Sequence, residues 1–509
     1  MSIHMHGIVI GSLLASPLAG FLQCDSVQPE DEPELVTETG VSAEFAADET
    51  PEVPLELLFD GEVPTARSLN LRELSLKQLG KFVFFDKISV PAKKQGCISC
   101  HDPAAGWTFP DTKINKAQVA APGAAKGAVG TIRPPSNAYA RNIPLQPGCG
   151  PLALPCGGLF WDGRAEGNVG PLFGGATTHI GAEVFKNSAP LEDLFADFLG
   201  PVADQALQPF PNPLEQNISQ KAVCTHVSKS VYALLYRVAW GEKIDCTNAG
   251  FALSFKRIAV ALAAWQASDE VNQFSSKRDK ALAAEVKLEG VNVAFPLKGL
   301  TAQENLGHEL FYGRAGCAVC HSNEPLAVFP DPNRAGLDPD ELYTDAVFHN
   351  IGVPRNAKIP GPDGSPGLGA RPLVIVDPDD DPTVRLGQHK TPTLRNVDKR
   401  PSKSFVKAYT HNGWFKSLES LVHFYNTADV DGTTAAAFGV TRCDPAKTDW
   451  TEAEALAAKC WPEPEEQGTL AIGFVIGDLG LTLTEEAAIV AYLKTLTDTK
   501  TVKPPPLLQ

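Results

Sequence analysis

Two short motifs of cysteine and histidine carry the clearest chemistry in this chain of 509 residues. Both have the spacing Cys-x-x-Cys-His, at residues 97–101 and again at residues 317–321. Two cysteines at this spacing can bond the two vinyl groups of one porphyrin, and the adjacent histidine can ligate its iron. A zinc site is disfavoured, because neither motif has an obvious fourth ligand beside it. The sequence therefore predicts two covalently bound haem c groups, held by Cys97, Cys100, His101, Cys317, Cys320 and His321.

A similar stretch precedes each motif. Residues 79–85 have the sequence LGKFVFF, and residues 306–312 have the sequence LGHELFY. Thr301 and Glu304 have the spacing of a capping box, which predicts a helix that begins just before the second stretch. One helix-then-haem unit is therefore predicted to occur twice.

Apolar residues at helical spacing predict the elements that position these units. Helices are expected at residues 72–85, 251–268, 418–426 and 484–497, whereas strand signals are few. Residues 323–387 are dense in Pro, Gly and Asp and predict a long loop system, which in a compact domain is usually functional. The predicted fold is mostly α, with two cytochrome c-like haem domains, long loops and little β.

Cysteine usage indicates an oxidising compartment. Beyond the haem motifs, six cysteines form close pairs in loop-like sequence and predict the disulfides Cys149–Cys156, Cys224–Cys246 and Cys443–Cys460. Disulfides persist outside the cytosol. The sequence therefore predicts a periplasmic or otherwise exported protein.

The predicted domain order is a signal peptide at 1–24, an acidic disordered linker at 25–56, an N-terminal haem domain at 57–290, a C-terminal haem domain at 291–500 and a tail at 501–509. The apolar run before Cys24 is too short for a stable membrane span. Cys24 itself is a candidate lipid anchor, although the preceding Phe-Leu-Gln fits a lipobox poorly. The linker carries many acidic residues and no Lys or Arg, which is typical of a self-repelling disordered segment.

The formal net charge of −16 argues against a nucleic-acid partner and against anionic membrane surfaces. An acidic protein suits a basic partner such as a small cationic cytochrome. The oligomeric state, including a homodimer, stays open.

Several ordered stretches resemble the bacterial di-haem cytochrome c peroxidase family, which includes the MauG-like enzymes. The resemblance extends from about residue 74 to residue 497. It implies a catalytic haem in the first domain, an electron-transfer haem in the second, and a calcium ion between the domains. The matching stretches are residues 96–102, 160–164, 316–321, 348–352, 391–396, 409–413 and 418–422.

The sixth iron ligands decide what each haem can do. Typical members of the family place a methionine on the second iron, but the only methionines here are Met1 and Met5, in the predicted signal peptide. Tyr409 falls where the family places that ligand, MauG-like members carry tyrosine there, and His411 is the alternative. The family's distal histidine on the first iron has no counterpart, because residues 102–178 contain no histidine. The first iron is therefore expected to be open.

The resemblance also implies residues that assist the chemistry. Peroxide cleavage needs a base that moves a proton between the two oxygens, a task that suits a carboxylate. Glu183 is the best match to the family's glutamate, and His179 nearby is the alternative. Trp161 matches the tryptophan that lies between the two haems and relays electrons.

For calcium, the resemblance implies the backbone carbonyls of Lys390 and Pro392, with Asn137 as a side-chain ligand. Oxygen ligands of this kind suit Ca²⁺. The acidic residues at 377–381 could also bind a cation, but a solvated loop is the simpler interpretation.

Three functions compete. The first is a peroxidase that reduces hydrogen peroxide with electrons from a small redox protein, either a cytochrome c or a cupredoxin. The second is a MauG-like oxidase that uses high-valent haem iron to oxidise a tryptophan or tyrosine of a partner protein. Tyr409, the absent methionine and the absent distal histidine favour the second, whereas family frequency favours the first. The third is a di-haem electron-transfer cytochrome without enzymatic activity, which requires two low-spin irons.

Overall fold

The computed structural model describes residues 58, 71–90, 94–117, 119–143, 155–167, 180–186, 200–323, 331–360, 365–370, 381–473 and 476–508. These residues belong to one compact unit, Thr50–Gln509. The predicted signal peptide and the whole of the predicted linker fall outside the described residues, as do Cys24, Cys149 and His179. Within the described ranges, every helix is too short or too polar to cross a bilayer.

The described residues are mostly helical. The helices are α1 Leu71–Phe85, α2 Thr112–Ala117, α3 Gly200–Ala206, α4 Gln220–Ser228, α5 Ala233–Trp240, α6 Phe251–Gln266, α7 Lys277–Glu289, α8 Ala302–Tyr312, α9 Leu418–Thr427, α10 Thr433–Phe438, α11 Glu452–Ala458 and α12 Leu483–Lys494.

The strands are two residues long each: β1 Phe348–His349, β2 His389–Lys390, β3 Thr441–Arg442 and β4 Cys460–Trp461. The first two pair antiparallel and the last two pair parallel. This composition confirms the predicted mostly helical fold with little β.

The predicted helices form with small shifts at their ends. The helix expected at 251–268 ends at Gln266, and the one expected at 484–497 spans Leu483–Lys494. The predicted capping box forms as well, since Thr301 N donates to Glu304 Oε2 at 2.7 Å and Glu304 N donates to Thr301 Oγ1 at 3.2 Å.

The two repeated helices pack in the same way. Helix α1 packs on α6, and α8 packs on α12. The repeated Leu-Gly places Gly80 against the backbone of Ala261 and Gly307 against the backbone of Ala488, where a Cβ atom would collide with the carbonyl oxygen. Glycine therefore permits the close helix approach in both units. This explains why glycine is the second residue of both similar stretches.

Two large clusters of buried apolar residues form the core. One is built mainly from residues 58–271, and the other from residues 310–496. The first cluster also takes in Leu342, Ala346 and Val502 from the C-terminal half. The predicted domain boundary at 290/291 stays a prediction.

Two predicted disulfides are confirmed, Cys224–Cys246 and Cys443–Cys460. Cys156 is also disulfide-bonded. Its predicted partner, Cys149, lies outside the described residues.

A buried lysine joins segments from the two halves of the chain. Lys407 is 4% exposed, and its Nζ donates to the carbonyls of Ala105 at 2.9 Å, Asn396 at 3.0 Å and Lys399 at 3.3 Å. Burial lowers the pKa of Lys407 well below its usual value. The Lys407 Nζ therefore connects three backbone carbonyls, two of which also accept hydrogen bonds from Thr108 Oγ1 and Lys399 N.

Lys407→Met is expected to lower the free energy of unfolding by about 3 kcal/mol, because it leaves these buried carbonyls without the donor that they share. Denaturant unfolding, followed by circular dichroism, measures the change. Lys403→Met is the matched control, since Lys403 is exposed on the same segment. Equal midpoints for the two variants would contradict the prediction.

Candidate haem sites

The first motif forms a short 3₁₀ turn, Cys97–Ser99, and His101 N donates to Cys97 O at 3.0 Å. Cys97 and Cys100 carry free, partly buried thiols. His101 Nδ1 lies 3.0 Å from the carbonyl oxygen of Pro135 and 3.2 Å from that of Trp107. Because both partners are acceptors, Nδ1 carries the proton and Nε2 is left as the unprotonated nitrogen.

The second motif repeats this arrangement. Its 3₁₀ turn is Cys317–Val319, and Cys317 and Cys320 are free. His321 Nδ1 donates to the carbonyl of Tyr343 at 3.0 Å. Burial lowers the pKa of both motif histidines, that of His101 to about 4. Each motif thus presents two thiols and a neutral imidazole with a free Nε2, a donor set that fits haem c.

Each motif opens into a large cavity. The first cavity contains Cys97, Cys100 and His101 among its lining residues. The second cavity contains Cys317, Cys320 and His321. Its lining is strongly apolar, as a porphyrin face requires, and includes Phe311, Ile351, Leu418, Val422, Ile489 and Leu493.

Tyr409 lines the second cavity and is 4% exposed. Its backbone N donates to Phe415 O at 2.9 Å, which fixes the segment beside α9. Its hydroxyl oxygen accepts a hydrogen bond from Arg400 Nη2 at 3.1 Å. Burial raises the pKa of Tyr409, and Arg400 opposes that rise. The structure therefore brings the predicted sixth ligand into the same cavity as His321.

His411, the alternative ligand, is engaged elsewhere. It lines both cavities, but its Nε2 is paired with the carboxylate of Glu465. Its ring is stacked on that of His389, with centroids 3.5 Å apart and planes inclined by 6°. The Nε2 atom and one ring face of His411 therefore already have partners within the protein.

The first cavity is lined by polar side chains that sequence reasoning missed. Gln216 and Gln266 each have a buried Oε1 without a hydrogen-bond partner. Glu215 accepts a hydrogen bond from Asn212 Nδ2 at 2.6 Å, and burial raises its pKa. These residues lie in a loop and on a helix far apart in sequence, so no local pattern indicates that they share a cavity.

The structure does not bring Glu183 to this cavity. Its side chain is 56% exposed and forms an ion pair with Lys256 at 2.7 Å. That pair lowers the pKa of Glu183, which favours the charged form. The next residue, Val184, is fully buried and turns the glutamate outward. Glu183 is therefore a surface carboxylate here, and Glu215 is one of the carboxylates that line the first cavity, with Asp162 and Glu465.

Trp161 lines both cavities and is 5% exposed. Its Nε1 donates to the carbonyl of Arg133 at 2.8 Å, and the Arg133 guanidinium lies 5.4 Å from its ring centroid. The rings of His389 and His411 meet it edge to face, at 6.5 and 6.2 Å between centroids. The indole is therefore part of the lining of both cavities, and its place as a relay between two haems stays a prediction.

The predicted calcium ligands line two different cavities. Asn137 lines the first cavity, whereas Lys390 and Pro392 line the second. Burial lowers the pKa of Lys390 to about 8, while Asp162 opposes that shift. Calcium stays a prediction.

Among the described residues, Cys320, Asp345 and His349 form a cluster with metal-ligand geometry. His349 Nε2 lies 2.9 Å from Asp345 Oδ2. Because Cys320 is a predicted haem attachment residue of the second motif, the cluster is part of that candidate site.

A helical fold with two Cys-x-x-Cys-His sites in separate cavities defines a di-haem c-type cytochrome. Residues 75–287 match the family model for di-haem cytochrome c peroxidase. The matched part of the chain is similar to this family, and the chain is an oxidoreductase of the cytochrome-c peroxidase type. Similarity to a di-haem family implies haem c as its cofactor.

The similarity to one curated relative extends over most of the chain. It is 27% identical to methylamine utilization protein MauG of Paracoccus denitrificans over 458 residues, covering 87% of this chain and 94% of that protein. It is also 27% identical to cytochrome-c peroxidase IdrP2 of Denitromonas iodatirespirans, over 28% of this chain and 36% of that protein. The crystal structure of the diheme peroxidase BthA from Burkholderia thailandensis has the same fold, with a TM-score of 0.58, 24% identity and coverage of 83% of this chain and 86% of that one.

Proposed function

We propose that each motif binds one haem c, in two cytochrome c-like haem domains at residues 57–290 and 291–500. The support is the donor set itself. In each site two free thiols stand beside a neutral imidazole whose Nδ1 is fixed by a backbone carbonyl. Such a carbonyl contact orients a ligating histidine and fixes its tautomer.

We propose that the two sites have different roles, with peroxide reduced at the first and electrons received at the second. When bound, a haem iron with a free coordination position can bind and reduce peroxide, whereas one with two protein ligands exchanges electrons. The observation that carries this assignment is the difference between the cavities. Tyr409 shares a strongly apolar cavity with His321, whereas the lining of the His101 cavity has a larger polar share, to which Glu215 belongs.

In this reaction hydrogen peroxide takes up two electrons and two protons and leaves as two waters. Glu215 is placed to hold one of these protons, because burial raises its pKa and favours the protonated carboxyl. The unpartnered Oε1 atoms of Gln216 and Gln266 offer acceptors for water in the same cavity. The electrons come from a small redox protein, a cytochrome c or a cupredoxin, and Trp161 relays them between the sites.

The remaining sequence-based assignments are part of the same proposal. The two disulfides support export to the periplasm, where such bonds persist. A lipid anchor at Cys24 and a calcium ion held by Lys390, Pro392 and Asn137 complete it.

A second function is favoured by a specific observation. Tyr409 stands in the second cavity in place of a methionine, and the long similarity is to a protein named MauG. This combination favours an oxidase that removes electrons from a tryptophan or tyrosine of a partner protein. Both functions begin with peroxide at the first site and differ in the source of the electrons.

One experiment separates these functions. The diferric protein is mixed with peroxide and then with either a reduced cytochrome c or candidate protein substrates, while absorption spectra are recorded. Rapid oxidation of the cytochrome without modification of any protein supports the peroxidase. A wholly low-spin spectrum that peroxide does not change would exclude both enzymatic functions and favour an electron-transfer cytochrome.

Tyr409→Phe is expected to convert the second haem from low spin to high spin, because phenylalanine has no ligand atom. Electron paramagnetic resonance of the ferric protein measures the change. Tyr425→Phe is the matched control, since Tyr425 also lines the second cavity. A low-spin signal that survives in Tyr409→Phe would remove Tyr409 from the iron.

A further inference from the structure

Arg400 is hydrogen-bonded to the hydroxyl of Tyr409. Tyr409 is among the residues that line the second cavity, and Arg400 is not. The Arg400 Nη2 donates to the Tyr409 hydroxyl oxygen at 3.1 Å. The guanidinium therefore contacts this oxygen without being part of the cavity lining.

The guanidinium is itself fixed in place. Its Nε and Nη2 donate to Asp398 Oδ1 at 3.0 and 2.8 Å, and its Nη1 donates to the carbonyl of Phe405 at 3.1 Å. Arg400 is 24% exposed and Asp398 19% exposed, so the pair is largely shielded from water. Since each guanidinium nitrogen has a partner, the donor to Tyr409 is held at a defined angle.

We propose that Arg400 is a positioning residue that holds the Tyr409 oxygen at the second haem and offsets the negative charge of that oxygen. This inference rests on the proposed ligand role of Tyr409. A phenol oxygen that binds ferric iron carries negative charge, and burying such charge without a charged donor is unfavourable. A guanidinium donor provides a short, charge-assisted hydrogen bond to it.

The other charges that act on the Tyr409 hydroxyl are negative, and the Arg400 guanidinium offsets them. Asp398 and Glu419 both act on the hydroxyl as negative charges. Asp398 is paired with Arg400, and Glu419 is paired with Lys494 at 2.9 Å. Arg400 is the cation that makes a hydrogen bond with the hydroxyl, so removing it leaves the oxygen facing two carboxylates.

Competition by imidazole tests the proposal in the intact di-haem protein. Imidazole displaces Tyr409 from the second iron, and electron paramagnetic resonance distinguishes this step from binding at the open first iron. In Arg400→Gln the apparent dissociation constant for the displacement step is expected to fall about tenfold, the effect of one hydrogen bond to a charged group. Arg400→Lys keeps the positive charge but loses the planar set of guanidinium donors. A smaller fall in the apparent dissociation constant is therefore expected in this variant.

Arg442→Gln is the matched control, because Arg442 forms a more exposed ion pair, with Glu463 at 3.6 Å. Imidazole binding at the first iron is an internal control and should be the same in all variants. If Arg400→Gln fails to fold, Arg400→Lys alone decides, since it should still shift the displacement constant relative to wild type.

Two outcomes would overturn the proposal in distinguishable ways. If Tyr409→Phe abolishes the low-spin signal but the Arg400 variants bind imidazole as wild type does, Arg400 has no positioning role and the ligand assignment stands. If Tyr409→Phe leaves the signal unchanged, the ligand assignment itself fails and the role of Arg400 fails with it.

Discussion

Trp161→Phe is expected to slow electron transfer between the two sites at least tenfold, about 1.4 kcal/mol in the activation barrier. The indole lines both cavities, so it offers one aromatic relay between them. Phenylalanine keeps most of the ring volume but is harder to oxidise, and it loses the bond from Nε1 to Arg133 O. Stopped-flow oxidation of a reduced donor cytochrome by peroxide measures the rate.

The haem content and the spin state of both irons should not change in this variant, because Trp161 holds no iron. Trp461→Phe is the control. Trp461 is equally buried and donates from Nε1 to Thr427 Oγ1 at 2.9 Å, but it lines neither cavity. If both variants oxidise the donor at the wild-type rate, Trp161 is a packing residue and the relay lies elsewhere.

The two haem motifs could be predicted from sequence because their chemistry is local. Five consecutive residues hold the thiols and the imidazole, and the 3₁₀ turn follows from that spacing. The repeated helices were also predictable, since Gly80 and Gly307 recur in the same context and serve the same close helix contact. The roles of Trp161 and Tyr409 could not be predicted from local sequence patterns alone, and they were assigned from the resemblance to a known family.

The polar wall of the first cavity could not be predicted, because it depends on contacts between distant segments. Gln216 and Gln266 are 50 residues apart along the chain. They line the same cavity only in the folded protein. Glu183 shows the reverse difference between the sequence pattern and the structure. Its place in the motif order matched a catalytic glutamate, but the burial of the neighbouring Val184 turns it to the surface beside Lys256.

The residues that line both cavities also depend on contacts that the sequence does not predict. His389 and His411 are stacked on each other and meet Trp161 edge to face, and Glu465 pairs with His411. The sequence offered His411 only as an alternative iron ligand, since nothing local indicates its partner. Its role in the structure is to pack the indole that connects the two sites.

The second cavity also depends on a buried ion pair. Arg395 lines this cavity, and its Nη1 donates to both carboxylate oxygens of Asp279 at 2.8 and 2.7 Å. Its Nε donates to Glu341 O at 2.7 Å, and its guanidinium lies 4.6 Å from the ring centroid of Phe274. Arg395 therefore connects α7 to the segment that forms the cavity wall.

Arg395→Met is expected to lower the free energy of unfolding at pH 7 by about 3 kcal/mol, because it leaves Asp279 charged and buried without its main partner. The contact between Arg278 Nη1 and Asp279 Oδ1, at 3.3 Å, keeps the loss at the lower end of the range. Denaturant unfolding at pH 7 measures it. Arg442→Met is the control, and its exposed pair with Glu463 should cost less than about 1 kcal/mol.

The pH dependence of Arg395→Met tests the same physics. Burial raises the pKa of Asp279, but Arg395 and its other partners outweigh burial, and the net pKa is lowered. A carboxyl with a lowered folded-state pKa stabilises the protein above its unfolded pKa of about 3.9, and this stabilisation is lost as the pH falls through the folded value. The difference between wild type and Arg395→Met should therefore shrink as the pH falls below about 4, whereas a constant difference would mean that Arg395 acts through packing alone.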